Sequence, residues 1–333
     1  MTPSTSRGVS RRGFIAGGLA MLGLPSLSAC GLGTAGGFIP QATLAGPLAG
    51  VPSLAGADIA VGSKNFSEQV LVGKMAVLLF KAAGANTSDY TNIPGSSSSR
   101  QALVSDQIQM VWEYTGTAWI AYMGNDTPIP DEHQQWEAVA KADLKNNLVW
   151  LQPAPMNNTY GFALKREEQQ KLGITKLSEL DTVPVPERTF CVESEFNSRN
   201  DGFKPMLDLY GVPFGSGVPE NQVKIFDTGA IYAATDQGEC VFGEVFTTDG
   251  RIIALDLVVL EDDKKFFPLY NLSPVVQEHV MNDYPQVADL FNPVSEKLTN
   301  DVLLNLNARI DVNGEEPTDV AMSWLKEEGF LTD

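Results

Sequence analysis

The sequence predicts an α/β fold built on parallel strands with helices on both faces. Two blocks of alternating strand and helix patterns, clear helix-start and helix-stop signals, and a 333-residue chain long enough for two ordinary domains lead to that class. The first block begins at Asp58, where Ile-Ala-Val-Gly reads as a short buried strand. Ser67–Ala83 repeats apolar residues at helical spacing, with Asn65 three residues before Glu68 as a cap and Gly84 as the stop. Tyr-Thr-Asn-Ile is strand-like. Gly-Ser-Ser-Ser-Ser-Arg then leads into a helix expected over Arg100–Ser105, with surplus hydroxyls for capping and bare amides that can face an anion. Gln109–Tyr114 is a strand, ended by a Thr-Gly-Thr turn. Asp131–Lys145 is an amphipathic helix, followed by the strand Leu-Val-Trp-Leu. The second block runs from about Tyr160 to Phe246, with strands at Thr189–Val192, Val223–Ile225 and Cys240–Phe246 and helices at Phe203–Tyr210 and Ala230–Gln237. A strand over Ile252–Leu260 and a helix over Pro285–Thr299 follow, and no segment repeats another.

The N-terminus reads as an address. Arg11 and Arg12 form a twin-arginine pair ahead of the apolar run Phe14–Leu24, which is too short to span a bilayer but suits a signal segment. Leu27-Ser28-Ala29-Cys30 is the pattern a lipoprotein signal peptidase reads. Residues 1–29 are therefore expected to be removed, leaving Cys30 lipidated and the protein exported and anchored to the outer face of the cytoplasmic membrane. Gly31–Gly56 contains no charge and reads as a flexible tether over 30–56. The chain is 43% hydrophobic with a formal net charge of −18, and loss of Arg7, Arg11 and Arg12 leaves 20 basic against 41 acidic residues. So acidic a surface argues against nucleic acid as a partner.

The chemistry of catalysis is missing from the pattern. No nucleophile elbow, phosphate loop, cofactor fingerprint or zinc spacing is present, and the only histidines, His133 and His279, stand far apart. No cofactor, no metal and no enzyme activity are expected. Cys191 and Cys240 lie in apolar, strand-like runs, either as a disulfide or as two buried thiols.

Binding is the better reading. Ligands of α/β proteins sit at the carboxyl ends of strands. Tyr114, Tyr160, Phe246 and Tyr270 stand at four strand-to-loop junctions and can form an aromatic box. Such a box attracts a cation that has no proton to lose, such as a quaternary ammonium, at roughly 0.5–2 kcal/mol per ring.

Six segments carry a resemblance that covers most of residues 58–280: Gly-Ser-Lys-Asn-Phe-Ser-Glu-Gln (62–69), Glu-Tyr-Thr-Gly-Thr (113–117), Asn-Asn-Thr-Tyr-Gly (157–161), Glu-Phe-Asn-Ser-Arg-Asn-Asp-Gly (195–202), Phe-Thr-Thr-Asp-Gly-Arg-Ile (246–252) and Val-Leu-Glu-Asp-Asp-Lys-Lys-Phe-Phe-Pro (259–268). The chain resembles the substrate-binding proteins of glycine betaine/choline/carnitine ABC importers. The resemblance implies a type II periplasmic-binding fold: lobe I over 57–155 plus 249–333, lobe II over 156–248, two crossover strands between them and the ligand in the cleft. It implies a cage of Tyr114, Tyr160, Phe246 and Tyr270, with Phe246 where the family usually has tyrosine. Lys64, Thr117 and Arg199 would meet a ligand carboxylate, with Asn158 and Gln69 as further polar contacts. Choline would leave Lys64 and Arg199 bare, and Thr117 stands where choline-preferring relatives carry an acid, so a zwitterion such as glycine betaine is favoured over choline. The implied partners are a small zwitterionic or cationic solute, the permease and ATPase subunits, and the membrane through the lipid anchor, with the protein itself a monomer. A sensor module for a related solute is the alternative, and an exported cofactor enzyme a more distant one.

Overall fold

The computed structural model describes residues 39–333, so the twin arginines, the signal segment and Cys30 lie outside the described residues. The described chain opens with strand β1 (Thr43–Leu44), which pairs antiparallel with the last strand, β12 (Leu331–Thr332). Leu48 and Leu54 are fully buried. The tether expected over 30–56 therefore does not extend through 43–56: these leucines have a core to enter, and burying each is worth about 1.5–3 kcal/mol.

The other strands in chain order are β2 (Asp58–Lys64), β3 (Asn86–Ile93), β4 (Met110–Tyr114), β5 (Leu148–Trp150), β6 (Tyr160–Lys165), β7 (Phe190–Val192), β8 (Val223–Ile225), β9 (Phe242–Phe246), β10 (Leu257–Val259) and β11 (Leu272–Gln277). They form two five-stranded sheets, β3-β2-β4-β11-β5 in lobe I and β10-β6-β9-β7-β8 in lobe II. Both sheets are mixed, unlike the parallel sheets expected. β2 runs parallel to β3 and β4, but β11 is antiparallel to β4 and β5. The cause is topological, because β11 re-enters lobe I from the other lobe and so points the opposite way. In lobe II, β7 is parallel to β8 and β9, while β6 is antiparallel to β9 and β10.

Helix Ser67–Ala82 buries most of its length between β2, β3 and the helix Pro317–Glu327. Asn65 does not cap it: the N-cap is Phe66, and the Asn65 amide oxygen accepts instead from the Gly95 N–H at 3.2 Å. The serine run is helical from Ser96, four residues earlier than expected. Asp131 does cap its helix, Glu132–Asp143, by accepting from Gln134 N–H at 2.9 Å.

Two extended segments, 151–159 and 260–271, cross between the lobes side by side. Ala154 N–H donates to Leu272 O at 2.7 Å and Asn158 N–H to Tyr270 O at 3.3 Å. They are connectors rather than ladder strands. The return to lobe I also comes later than residue 249, because β10 still pairs with β6. The strand expected over Ile252–Leu260 begins only at Leu257, and Arg251–Ala254 forms a helical turn before it. In lobe II, Cys191 on β7 and Cys240 ahead of β9 are joined as a disulfide, with Cα atoms 5.8 Å apart.

Candidate functional site

Between the lobes lies a cavity of about 560 Å³. Tyr114, Tyr160, Phe246 and Tyr270 all line it, together with Lys64, Thr117 and Asn158. Arg199 and Gln69 do not. Local structure explains how four rings so far apart in sequence meet. Tyr114 is the last residue of β4, where the buried strand gives way to the short helical segment Thr115–Thr117. The junction is thus helical rather than a turn. Tyr160 is at the beginning of β6, not at a carboxyl end as expected, yet β6 is antiparallel to β9 and Tyr160 pairs directly with Phe246. Both rings therefore share one sheet edge, 5.3 Å apart. Tyr270 comes from the second crossing segment and meets Tyr160 edge-on at 5.4 Å. Gly116 makes room for it, since a Cβ there would lie 2.8 Å from the Tyr270 ring.

A fifth ring was not anticipated. Phe66, the N-cap of Ser67–Ala82, lines the same cavity 6.2 Å from Tyr114 and 5.2 Å from Phe246. It links the rings of the two lobes. The signal for it was an aromatic inside the Gly-Ser-Lys-Asn-Phe segment, immediately before the helix.

The cations are already engaged. Lys64 Nζ lies 2.5 Å from Glu113 Oε1, and both side chains are buried. Glu113 also accepts from Tyr122 Oη at 2.8 Å. Arg199 is held by Asp201 through two contacts of 2.6 and 2.5 Å and by Glu195 at 3.3 Å, with its guanidinium 5.6 Å from the Tyr160 ring centroid. Its place is therefore behind the cage ring rather than in the cavity wall. A cation without a carboxylate leaves neither Lys64 nor Arg199 bare, which corrects the charge-based preference against choline. Gln69 is buried and accepts the Lys64 N–H at 3.3 Å.

The rest of the wall carries three acids, Glu193, Glu195 and Asp227, and one further base, Arg251, which is paired with Asp249. Glu195, in lobe II, accepts the Ser96 N–H of lobe I at 3.2 Å. The anion that the serine-run amides face is thus the protein's own. The Ser96 contact and the neighbouring cations hold the Glu195 carboxyl below the usual carboxylate range despite its burial.

Glu244, on β9 two residues before Phe246, is buried and accepts the Glu193 N–H at 2.7 Å. Burial, with the nearby Glu193 charge, pushes its pKa up to about 8. The folded state then binds a proton more tightly than the unfolded chain, whose carboxyl titrates near 4.5. Between those two values stability falls as pH rises. Glu244→Gln should remove this slope, recovering about 2 kcal/mol of the loss between roughly pH 6 and 7.5. Denaturant melts at both pH values check it, and an equal slope in parent and variant would refute the assignment.

A cleft between two α/β lobes, walled by aromatic rings from both, is the site of a solute-binding protein. Comparison with known proteins agrees. A family model described as the substrate-binding domain of ABC-type glycine betaine transport systems matches residues 57–327. A glycine-betaine-binding protein of Pseudomonas aeruginosa is 36% identical over 281 residues, covering 82% of this chain and 88% of that protein. The apo structure of YehZ from Escherichia coli superposes with a TM-score of 0.62 at 30% identity, over 83% of this chain and all of that one. A crystal structure of a glycine betaine/carnitine/choline ABC transporter gives a TM-score of 0.67 at 25% identity, over 81% and 98%. The chain belongs to this family: it is the substrate-binding component of an ABC importer, and it is not an enzyme.

Proposed function

We propose that the cleft captures a quaternary ammonium solute, glycine betaine or a close analogue, and that Tyr114, Tyr160, Phe246 and Tyr270 hold its cationic head. The observation that carries this is the convergence of all four rings on one cavity. The negative faces of the rings attract a charge that cannot be discharged by proton loss. The acids of the wall favour the same sign. Lys64 and Thr117, on the lobe I side, are the groups nearest to hand for a carboxylate end, and Asn158 contributes an amide. Arg199 acts one layer back, anchoring Asp201 and facing Tyr160. The loss of a hydroxyl at Phe246 leaves its ring face available to a cation. Ligand binding draws the lobes together, and the closed form docks the permease with its ATPase. A thermal-shift panel of glycine betaine, proline betaine, carnitine, choline and ectoine tests the reading, because a ligand that binds only the native state raises its melting temperature. A clear shift with a quaternary ammonium member and none with ectoine fits it; a flat response to every quaternary ammonium contradicts it.

Residues 1–29 act as a twin-arginine lipoprotein signal in this reading, Cys30 carries lipid, and the protein works as a monomer on the outer face of the cytoplasmic membrane. In cell fractionation, Cys30→Ser should move the protein from the membrane to the soluble fraction, since lipid supplies the anchorage. Membrane retention of that variant would count against the anchor.

A further inference from the structure

The buried acids around the cage fall into two kinds. Glu113 has Lys64 as counter-ion, and Asp201 has Arg199. Glu68 has none. It is 2% exposed, and four neutral groups donate to its two oxygens: Tyr114 Oη at 2.6 Å, Asn158 Nδ2 at 2.9 Å, Thr248 Oγ1 at 2.6 Å and Asn307 Nδ2 at 2.9 Å. Four donors on two oxygens are the complement of an ionised carboxylate. Among the described residues no cation reaches Glu68 within salt-bridge distance. Arg251 borders the same small void, but its guanidinium is bound to Asp249 and faces Asp311 at 3.7 Å. Burial raises the pKa of this carboxyl while the four donors pull it down, and a buried charge without a counter-ion is costly, so an opposite charge brought by a ligand favours the ionised form.

The position of Glu68 names that something. It lies directly behind Tyr114, joined to the cage by the tyrosine hydroxyl, and its donors come from the lobe I helix Asn300–Asp311, from the first crossing segment and from the turn after β9. A phenol that donates to a carboxylate carries a more electron-rich ring, and hydrogen-bonded groups polarise one another in a dry interior. Both effects strengthen the pull of the Tyr114 face on a cation. We propose that Glu68 is a specificity-determining residue, the counter-charge of the bound ligand's cationic head, acting through the Tyr114 ring. This rests on the quaternary ammonium reading of the cleft and adds a requirement for charge, not only for shape.

Isosteres with an uncharged head separate the two. In 3,3-dimethylbutanoate a carbon replaces the nitrogen of glycine betaine, and 3,3-dimethylbutan-1-ol stands in the same relation to choline. Calorimetry on the parent should show whichever of glycine betaine and choline binds preferred over its isostere by at least about tenfold. Glu68→Gln keeps the size and an acceptor for Tyr114, and should cut that preference by roughly tenfold, mainly through weaker binding of the cation. A merely structural role would weaken cation and isostere alike. The swapped variant Glu68→Gln/Asn307→Asp returns a carboxylate to the same hydrogen-bonded cluster and should restore the preference to within about threefold of the parent. If Glu68→Gln does not fold, the swap decides alone. An unchanged preference in Glu68→Gln, or none in a folded swap variant, overturns the proposal. A parent that binds neither glycine betaine nor choline, or does not prefer it to its isostere, overturns instead the quaternary ammonium reading on which it rests.

Discussion

Tyr160→Ala should bind glycine betaine about ten- to a hundredfold more weakly than the parent, whereas Tyr160→Phe should stay within about threefold. Tyr160 is the hub of the cage, with Phe246 at 5.3 Å, Tyr270 at 5.4 Å and Phe196 at 4.5 Å. Its hydroxyl has no hydrogen-bond partner among the described residues, so its contacts with the neighbouring rings are made by the ring itself. Removing one π-face costs about 0.5–2 kcal/mol, and losing the alignment of its two neighbours adds to that; each 1.4 kcal/mol is tenfold in affinity. Tyr160→Leu separates face from volume: it fills much of the space without a π-system and should bind nearly as weakly as the alanine variant. Calorimetry gives the affinities, and a melting curve on each variant shows that the fold is intact. Tyr160→Leu binding like the parent would mean that the ring serves packing alone.

Loss of the Cys191–Cys240 disulfide should destabilise the protein by about 4 kcal/mol on the chain-entropy account, since the bond closes a loop of 49 residues. Cys191→Ala/Cys240→Ala should melt roughly 10 °C below the parent, and the parent treated with reductant should follow it. The loss belongs to lobe II, where the bond ties β7 to the segment ahead of β9. Both strands lead directly into the site, β7 to Glu193 and Glu195 and β9 to Phe246. Two free thiols titrated in the native exported protein, or an unchanged melt under reductant, would contradict the prediction.

The α/β class and most elements were legible in the sequence because apolar periodicity is strong where a strand or helix is buried on a known face. Helix Ser67–Ala82 and strand β4 are examples, displaced from expectation by a residue or less. Neither β11 nor its direction was legible, for no strand was expected over Leu272–Gln277. Periodicity marks a strand but not the route by which it enters a sheet, and β11 arrives by a crossing that begins more than a hundred residues after β4 ends. The burial of Leu48 and Leu54 escaped because a run without charge reads equally as tether or as packed edge until a partner, here the C-terminal strand, is in place.

At the site, the four rings that share the cavity could be named because large aromatics at element ends stand out. Their polar surroundings could not. Lys64 and Arg199 read as free cations because Glu113 lies 49 positions from Lys64, and a pairing at that distance leaves no local trace. Asp201, only two residues from Arg199, was a signal within reach. Glu68 was visible only as a capping partner for Asn65; its role as a buried acid depends on Asn158, Thr248 and Asn307, which the fold alone brings together.

The most direct test of the cage is a crystal structure grown with glycine betaine. It should place the trimethylammonium carbons within about 4.5 Å of ring atoms of Tyr114, Tyr160, Phe246 and Tyr270, at ordinary contact distance, with the carboxylate turned toward Lys64 and Thr117. A ligand bound outside the space these rings enclose, or one whose carboxylate faces the rings, would contradict it.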